Sequence, residues 1–288
     1  MIIHTGAKIA GVEQRALMPA WTHDGLEFYY REAGQGLPFV FQHGLGGDSE
    51  QTFGLFKPPP GVRLLTLEAR AHGRTRPVGD EQKISLTAFA ADLAAWMNHL
   101  ALPQAVVGGI SMGAAVALRF ALAYPERLIG LVLSRPAWLD RPNPDNVRVF
   151  AEIARLLRAH TPQTALAHFK QSETYQRTLR ESPDAAASLL GQFTQPRAVE
   201  AVARLERIPA DAPAKSLDEL RRIRVPTLVL ANRQDPIHPF EYGRTLAEAI
   251  DGARFAELTP KSQSIEAHAA DVARALGEFL DSLIDRGI

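Results

Sequence analysis

Apolar residues recur in two rhythms along this chain of 288 residues. Short, near-continuous apolar runs at 37–42, 62–67, 104–109 and 128–133 predict strands buried on both faces, as in a parallel sheet covered by helices. A further strand is expected over Leu26-Glu27-Phe28-Tyr29-Tyr30-Arg31-Glu32, closed by the turn residues Gly34-Gln35-Gly36. The other rhythm is helical. Leu86, Phe89, Leu93, Trp96, Met97 and Leu100 fall on one stripe, with Ser85 as a candidate N-cap and Pro103 beyond the end. Residues 112–124 predict the next helix. This β–α alternation is the pattern of a doubly wound, mostly parallel α/β sheet. The first twenty residues give no assignable pattern.

The alternation stops at Ser134. From 135 to 222 the chain carries helical patterns and proline-rich joints but no convincing strand. It resumes with a strand at 225–230, a helix at 240–250, a strand at 253–258 and a closing helix. In that last helix Val272, Leu276, Phe279, Leu280, Leu283 and Ile284 share a face. The expected organisation is therefore a core formed by 1–134 and 223–288, interrupted by a helical insert at 135–222. A structureless loop of that length would be improbable.

Composition narrows the chemistry. Hydrophobic residues make up 46% and charged residues 22%, an ordinary globular balance. Thirty-two basic residues offset thirty-two acidic ones, so no net field draws the chain to nucleic acid or an anionic membrane. Arginine supplies most of the positive charge, but it is scattered and matched by acids. The absence of cysteine removes disulfides, thiol nucleophiles and Cys-ligated zinc. No apolar run reaches the roughly 18 residues of a membrane span. No basic segment followed by an apolar one opens the chain, so no secretory signal is read and a cytoplasmic protein is expected. The histidines lack metal-ligand spacing, so neither metal nor cofactor is expected.

Gly109-Ile110-Ser111-Met112-Gly113 lies between a predicted strand and a predicted helix. A sharp turn there would lift the Ser111 hydroxyl above the sheet edge, at a helix N-terminus that favours developing negative charge. His43-Gly44-Leu45-Gly46-Gly47 follows another buried strand. The backbone N–H groups of Leu45 and Met112 are the candidate donors to an oxyanion.

These segments, with Arg70-Ala71-His72-Gly73-Arg74 and Asn232-Arg233-Gln234-Asp235-Pro236, resemble the α/β-hydrolase fold superfamily over nearly the whole chain. Glu68 and Ala71 stand where Asp and Gly are common in that superfamily. The resemblance implies that the insert is a helical cap and that the triad follows the order Ser, acid, His. Asp235, after a core strand, is the expected acid; its other reading is an Asx-type turn former. The histidine is displaced, because the resemblance aligns Gln263 with the usual position. His268, in the first turn of the last helix if Ser264 caps it, is the expected base. His238 stands too near Asp235 along the chain for the usual arrangement.

The expected activity is cofactor-independent hydrolysis of a small, largely apolar ester, lactone or related acyl compound through an acyl-enzyme on Ser111. Its partner is then a small molecule, not nucleic acid or membrane. Alternatives with the same triad are C–C bond hydrolysis, enol-lactone hydrolysis and perhydrolysis; peptidase activity is a further one. A non-catalytic binding protein derived from a hydrolase is the alternative motivated by the displaced histidine. Trp138, Phe150, Phe169, Tyr175 and Phe193 could line a pocket or form the core of the insert.

Overall fold

The computed structural model describes residues 20–287. His4, the segment read for a secretory signal and the first part of the expected core lie outside them. Eight strands form one sheet: β1 (Ala20–His23), β2 (Leu26–Gly34), β3 (Leu37–Gln42), β4 (Val62–Leu67), β5 (Ala105–Ile110), β6 (Leu128–Ser134), β7 (Thr227–Asn232) and β8 (Arg254–Leu258). Their spatial order is β1-β2-β4-β3-β5-β6-β7-β8. β1 and β2 run antiparallel to their neighbours, and β4 through β8 pair in parallel.

The apolar runs are continuous because each central strand feeds two cores. From β3, Phe39 and Phe41 enter one layer and Val40 the other; from β5, Val106 and Ile110 oppose Ala105 and Val107. Helices cover both layers: α1 (Ser49–Leu55), α2 (Leu86–His99), α3 (Met112–Ala123), α9 (Phe240–Ala249) and α10 (Ile265–Ile284). Val272, Leu276, Phe279, Leu280 and Leu283 of α10 close one layer, while α2 and α3 supply most of the other. The caps inferred from sequence are formed. Ser85 Oγ accepts from the Ala88 N–H and Ser264 Oγ from the Ala267 N–H.

Between β6 and β7 the chain forms α4 (Val149–Ala159), α5 (Pro162–Lys170), α6 (Glu173–Glu181), α7 (Pro183–Thr194) and α8 (Arg204–Arg207), with 3₁₀ turns but no strand. These helices sit over the carboxyl ends of the strands and are fastened by side chains that donate to core carbonyls. Gln192 reaches Leu45 O at 3.1 Å and Gln195 reaches Gly46 O. Arg204, nearly fully buried, reaches Ala71 O at 2.6 Å. Of the aromatics named above, Trp138, Phe169, Tyr175 and Phe193 are packed as core.

β1 and α1 lie outside the sequence-based assignment. β1 is a four-residue edge strand with no fully buried position, and α1 is a seven-residue helix fixed mainly by its cap, Asp48. Neither carries enough periodic apolar signal to be read from the pattern.

Candidate active site

Ser111 stands between β5 and α3 with φ 58° and ψ −115°, a conformation that side chains rarely adopt. Its two flanking glycines explain why the corner closes. A Cβ on Gly109 would meet the Gly113 backbone, and one on Gly113 would meet the Gln42 carbonyl. The corner is pinned by the Ser111 N–H, which donates to Ser134 O at 3.0 Å. Met112 opens α3, so its N–H has no acceptor within the helix. Leu45 lies on the β3–α1 loop. There His43 accepts at Nε2 from the Ala69 N–H (3.0 Å) and therefore donates from Nδ1 to Gly44 O (2.9 Å), while the Gly44 N–H donates to Gln51 Oε1 (2.7 Å). This glycine-rich loop is thus held by side chains on both sides.

The residue that meets Ser111 is His238. Its Nε2 lies 2.9 Å from Ser111 Oγ. On the other edge of the ring, Nδ1 lies 3.0 and 2.9 Å from the two carboxylate oxygens of Asp235. The carboxylate fixes the proton on Nδ1, which leaves Nε2 to accept from the serine hydroxyl. His268 is elsewhere: it is buried on α10 and donates from Nδ1 to Thr259 O at 2.8 Å. The expectation for His268 is therefore corrected. Its helix register points it at the end of β8, where it ties helix to strand, and Gln263 is exposed.

Three residues of separation suffice because of what lies between Asp235 and His238. Asp235 Oδ1 accepts from the backbone N–H groups of Ile237 (3.2 Å) and His238 (3.1 Å), forming a tight turn that folds the chain back on the carboxylate. One side chain thus both closes the turn and meets the imidazole.

Arg135, which the sequence reading did not single out, completes the group. It follows β6 directly, at φ 46°, and donates to Asp235 Oδ2 from Nε (2.9 Å) and Nη2 (2.5 Å). Its position just past a core strand, on the edge that carries Ser111 and Asp235, was the available signal. Burial alone would push the Asp235 carboxyl up; His238 and Arg135 outweigh it and hold the carboxyl well below the usual carboxylate range. Burial also dominates at His238 and pushes the imidazole down. Asp235 pulls it up and Arg135 down, and the result lies below the ordinary histidine value. A neutral imidazole at neutral pH follows.

The hydroxyl opens into a cavity of about 160 Å³. Leu45, Leu55, Ile110, Phe150, Leu189 and Ile237 give it apolar walls, and Arg135, Asp184 and Lys261 are the charged residues at its surface. Phe150 is the one member of the aromatic set named above that reaches it. Larger clefts lie elsewhere, but none of them includes Ser111. Among the described residues no helix is long and apolar enough to cross a membrane.

The mostly parallel sheet, its strand order and the elbow at Ser111 define the α/β-hydrolase class. The chain belongs to the alpha/beta hydrolase fold family, whose pattern matches residues 38–261. It is similar to a non-heme haloperoxidase from Rhodococcus erythropolis, at 27% identity over 90% of this chain and 97% of the relative. A non-heme chloroperoxidase from Streptomyces lividans is 31% identical over 76% of this chain and 82% of its own. Among solved structures, a thermophilic esterase from Thermogutta terrifontis superposes with a TM-score of 0.67 at 26% identity, covering 92% of this chain and 97% of that one. The chain is accordingly an enzyme of hydrolase type, and the reading as a non-catalytic binding protein loses its motive once an imidazole reaches the serine.

Proposed function

We propose that this enzyme hydrolyses a small ester or lactone through an acyl-enzyme on Ser111, with His238 as general base and Asp235 as its carboxylate partner. The observation that carries the reading is the unbroken run of contacts from carboxylate to imidazole to hydroxyl. The Ser111 oxygen attacks the substrate carbonyl as its proton passes to His238 Nε2. Negative charge develops on the carbonyl oxygen, where the N–H groups of Leu45 and Met112 are the proposed donors. His238 then returns the proton to the leaving alkoxide, giving the alcohol and the acyl-serine. Water repeats the sequence: its proton goes to His238, its oxygen to the acyl carbon, and the proton finally to the Ser111 oxygen as the acid departs.

The cavity size supports a small acyl group, since a void of about 150 Å³ is benzene-sized. Helices between 135 and 222 form the roof of the site in this reading, and 20–134 with 223–287 its base. The haloperoxidase relatives favour a second reading at the same site. Hydrogen peroxide in place of water at the acyl-enzyme would release a peracid, with the same proton path.

A fluorophosphonate probe and a p-nitrophenyl ester series test the proposal. Wild type should label at Ser111 and lose rate as the acyl chain outgrows the cavity, while Ser111→Ala does neither. Full ester hydrolysis by Ser111→Ala would overturn it, and peroxide added to the assay separates hydrolysis from perhydrolysis.

A further inference from the structure

Lys261 sits in the loop after β8, between Pro260 and Ser262, and lines the same cavity as Ser111. The loop is fixed in shape. The Gln263 N–H donates to Pro260 O at 2.9 Å, Ser262 Oγ donates to Gln234 Oε1 at 2.6 Å, and Thr259 is tied to Asp271 by two further hydrogen bonds. A half-buried ammonium held this way would ordinarily be matched by a carboxylate. Among the described residues none comes within 4.0 Å of it, and it makes no hydrogen bond.

The neighbouring charges are already engaged or set apart. Asp235 is taken by Arg135 and His238. Asp184, in the first turn of α7, accepts from Ser182 Oγ at 2.6 Å and faces Lys261 only across the cavity. Arg135 uses Nε and Nη2 for Asp235 and makes no hydrogen bond from Nη1. Burial is the main influence holding Lys261 below the ordinary lysine value, and Arg135 adds to it, whereas Asp184 and Asp235 oppose it.

We infer that the substrate carries a carboxylate group, received by the Lys261 ammonium and the unengaged edge of Arg135 beside the reacting serine. This inference rests on the hydrolase reading above and replaces the expectation of a largely apolar substrate with a molecule that is apolar along one wall and anionic at one end. Of the three charged side chains at the cavity surface, Arg135 and Lys261 are positive and Asp184 is negative, which leaves one positive charge to be matched. That balance admits a single negative charge at Lys261 but opposes a dianionic phosphate. An incoming carboxylate also gains from the poor solvation of the ammonium, because a charge-assisted hydrogen bond strengthens as water is excluded.

Methyl valerate and monomethyl glutarate, equal in acyl-chain length and differing in a terminal carboxylate, make the test. Proton release gives kcat/KM for each. Wild type should favour the glutarate ester, and Lys261→Met should reduce that preference by at least about tenfold, the range of one charge-assisted hydrogen bond. Lys261→Arg should restore part of it, which separates loss of charge from loss of fold, and Asp184→Asn should increase it. A preference unchanged in Lys261→Met, with wild-type Ser111 still labelled by fluorophosphonate, would overturn the carboxylate site and leave the hydrolase reading standing. No labelling and no hydrolysis of either ester by wild type would instead overturn the hydrolase reading, and the carboxylate site with it.

Discussion

His238 Nδ1 lies 2.9 Å from an oxygen of Asp235, a residue only three positions earlier on the same loop. The usual expectation for an acid and a histidine in this fold places them on separate loops, and here one turn supplies both. The base proposed on this loop has a direct consequence. His238→Ala should reduce kcat by about 10²–10⁴-fold, the range of a lost general base, and slow fluorophosphonate labelling in parallel. His268→Ala should retain activity while losing roughly 1 kcal/mol of stability with its hydrogen bond to Thr259 O. Rates and thermal midpoints of the two purified variants distinguish these roles, and the opposite pattern would restore the assignment to His268.

What the pattern of residues revealed, and what it hid, differ in physical kind. The buried strands and capped helices were legible because each depends on local periodicity and on a capping side chain a few residues away. Ser111 and its glycines were legible because the steric demand of the elbow is written in adjacent positions. The choice between His238 and His268 was not, since it depends on whether a four-residue turn can fold back on its own carboxylate. That outcome is decided by two backbone N–H groups, those of Ile237 and His238, and not by residue type. Arg135 was hidden for a related reason: its partner is one hundred residues away, and only the assembled sheet brings β6 and β7 side by side.

The pH profile should reflect the electrostatics around His238. Catalysis requires the neutral imidazole, and burial holds His238 below its ordinary value, so kcat/KM should rise through an apparent pKa below 6.5 and be level at neutral pH. Arg135 contributes to that depression. Its replacement by Met should move the rising limb to higher pH, because the imidazolium then loses a repulsive neighbour. Arg135→Lys should move it less. A limb that stays in place in Arg135→Met would show that the guanidinium acts on Asp235 alone.

Backbone strain at Ser111 predicts an uncommon mutational order. Its positive φ disfavours any side chain with a Cβ, and glycine adopts that region at little steric cost. Ser111→Ala and Ser111→Gly should both be inactive, but the glycine variant should be the more stable by about 1 kcal/mol, the strain relief less glycine's added entropy. Denaturant midpoints measure the difference. An alanine variant equal or superior in stability would show that α3 gains nothing from release of the elbow.

The glycines on either side should be the least tolerant positions of the site. A methyl group at Gly113 would meet the Gln42 carbonyl, and backbone on both sides leaves no flexible atom to give way. Gly113→Ala should therefore lower stability by at least about 1–3 kcal/mol, the cost of overpacking, and disorder the elbow. Gly191→Ala on α7, where a methyl group meets nothing within 4 Å, is the control and should be neutral or slightly stabilising.

Separation of charge from catalysis is the last test, and Arg135 with Asp235 provides it. The two form a buried ion pair, so Asp235→Asn leaves a guanidinium without its partner as well as an imidazole without its anchor. Activity should fall by orders of magnitude, and stability by about 3–5 kcal/mol, the cost of an uncompensated buried charge. In the double variant Arg135→Met with Asp235→Asn the stranded charge is removed. Stability should recover much of the loss while activity stays low, giving a coupling energy well above the scatter of independent sites. Acid sharpens the contrast. The folded-state pKa of Asp235 lies below its unfolded value, so its stabilisation is complete above about pH 4 and declines as the pH falls toward the folded value. His238 is also depressed, so its neutral form stabilises above pH 6.5 and this contribution is lost as the pH drops toward its folded value. The wild type should thus lose stability in both windows. The double variant should keep only the histidine window, and a wider one, because the upward pull of Asp235 on the ring exceeds the downward push of Arg135 and both are gone. Urea midpoints at pH 3, 5 and 7 resolve the two contributions, and equal acid sensitivity of wild type and double variant below pH 4 would place the origin of that instability in other carboxylates.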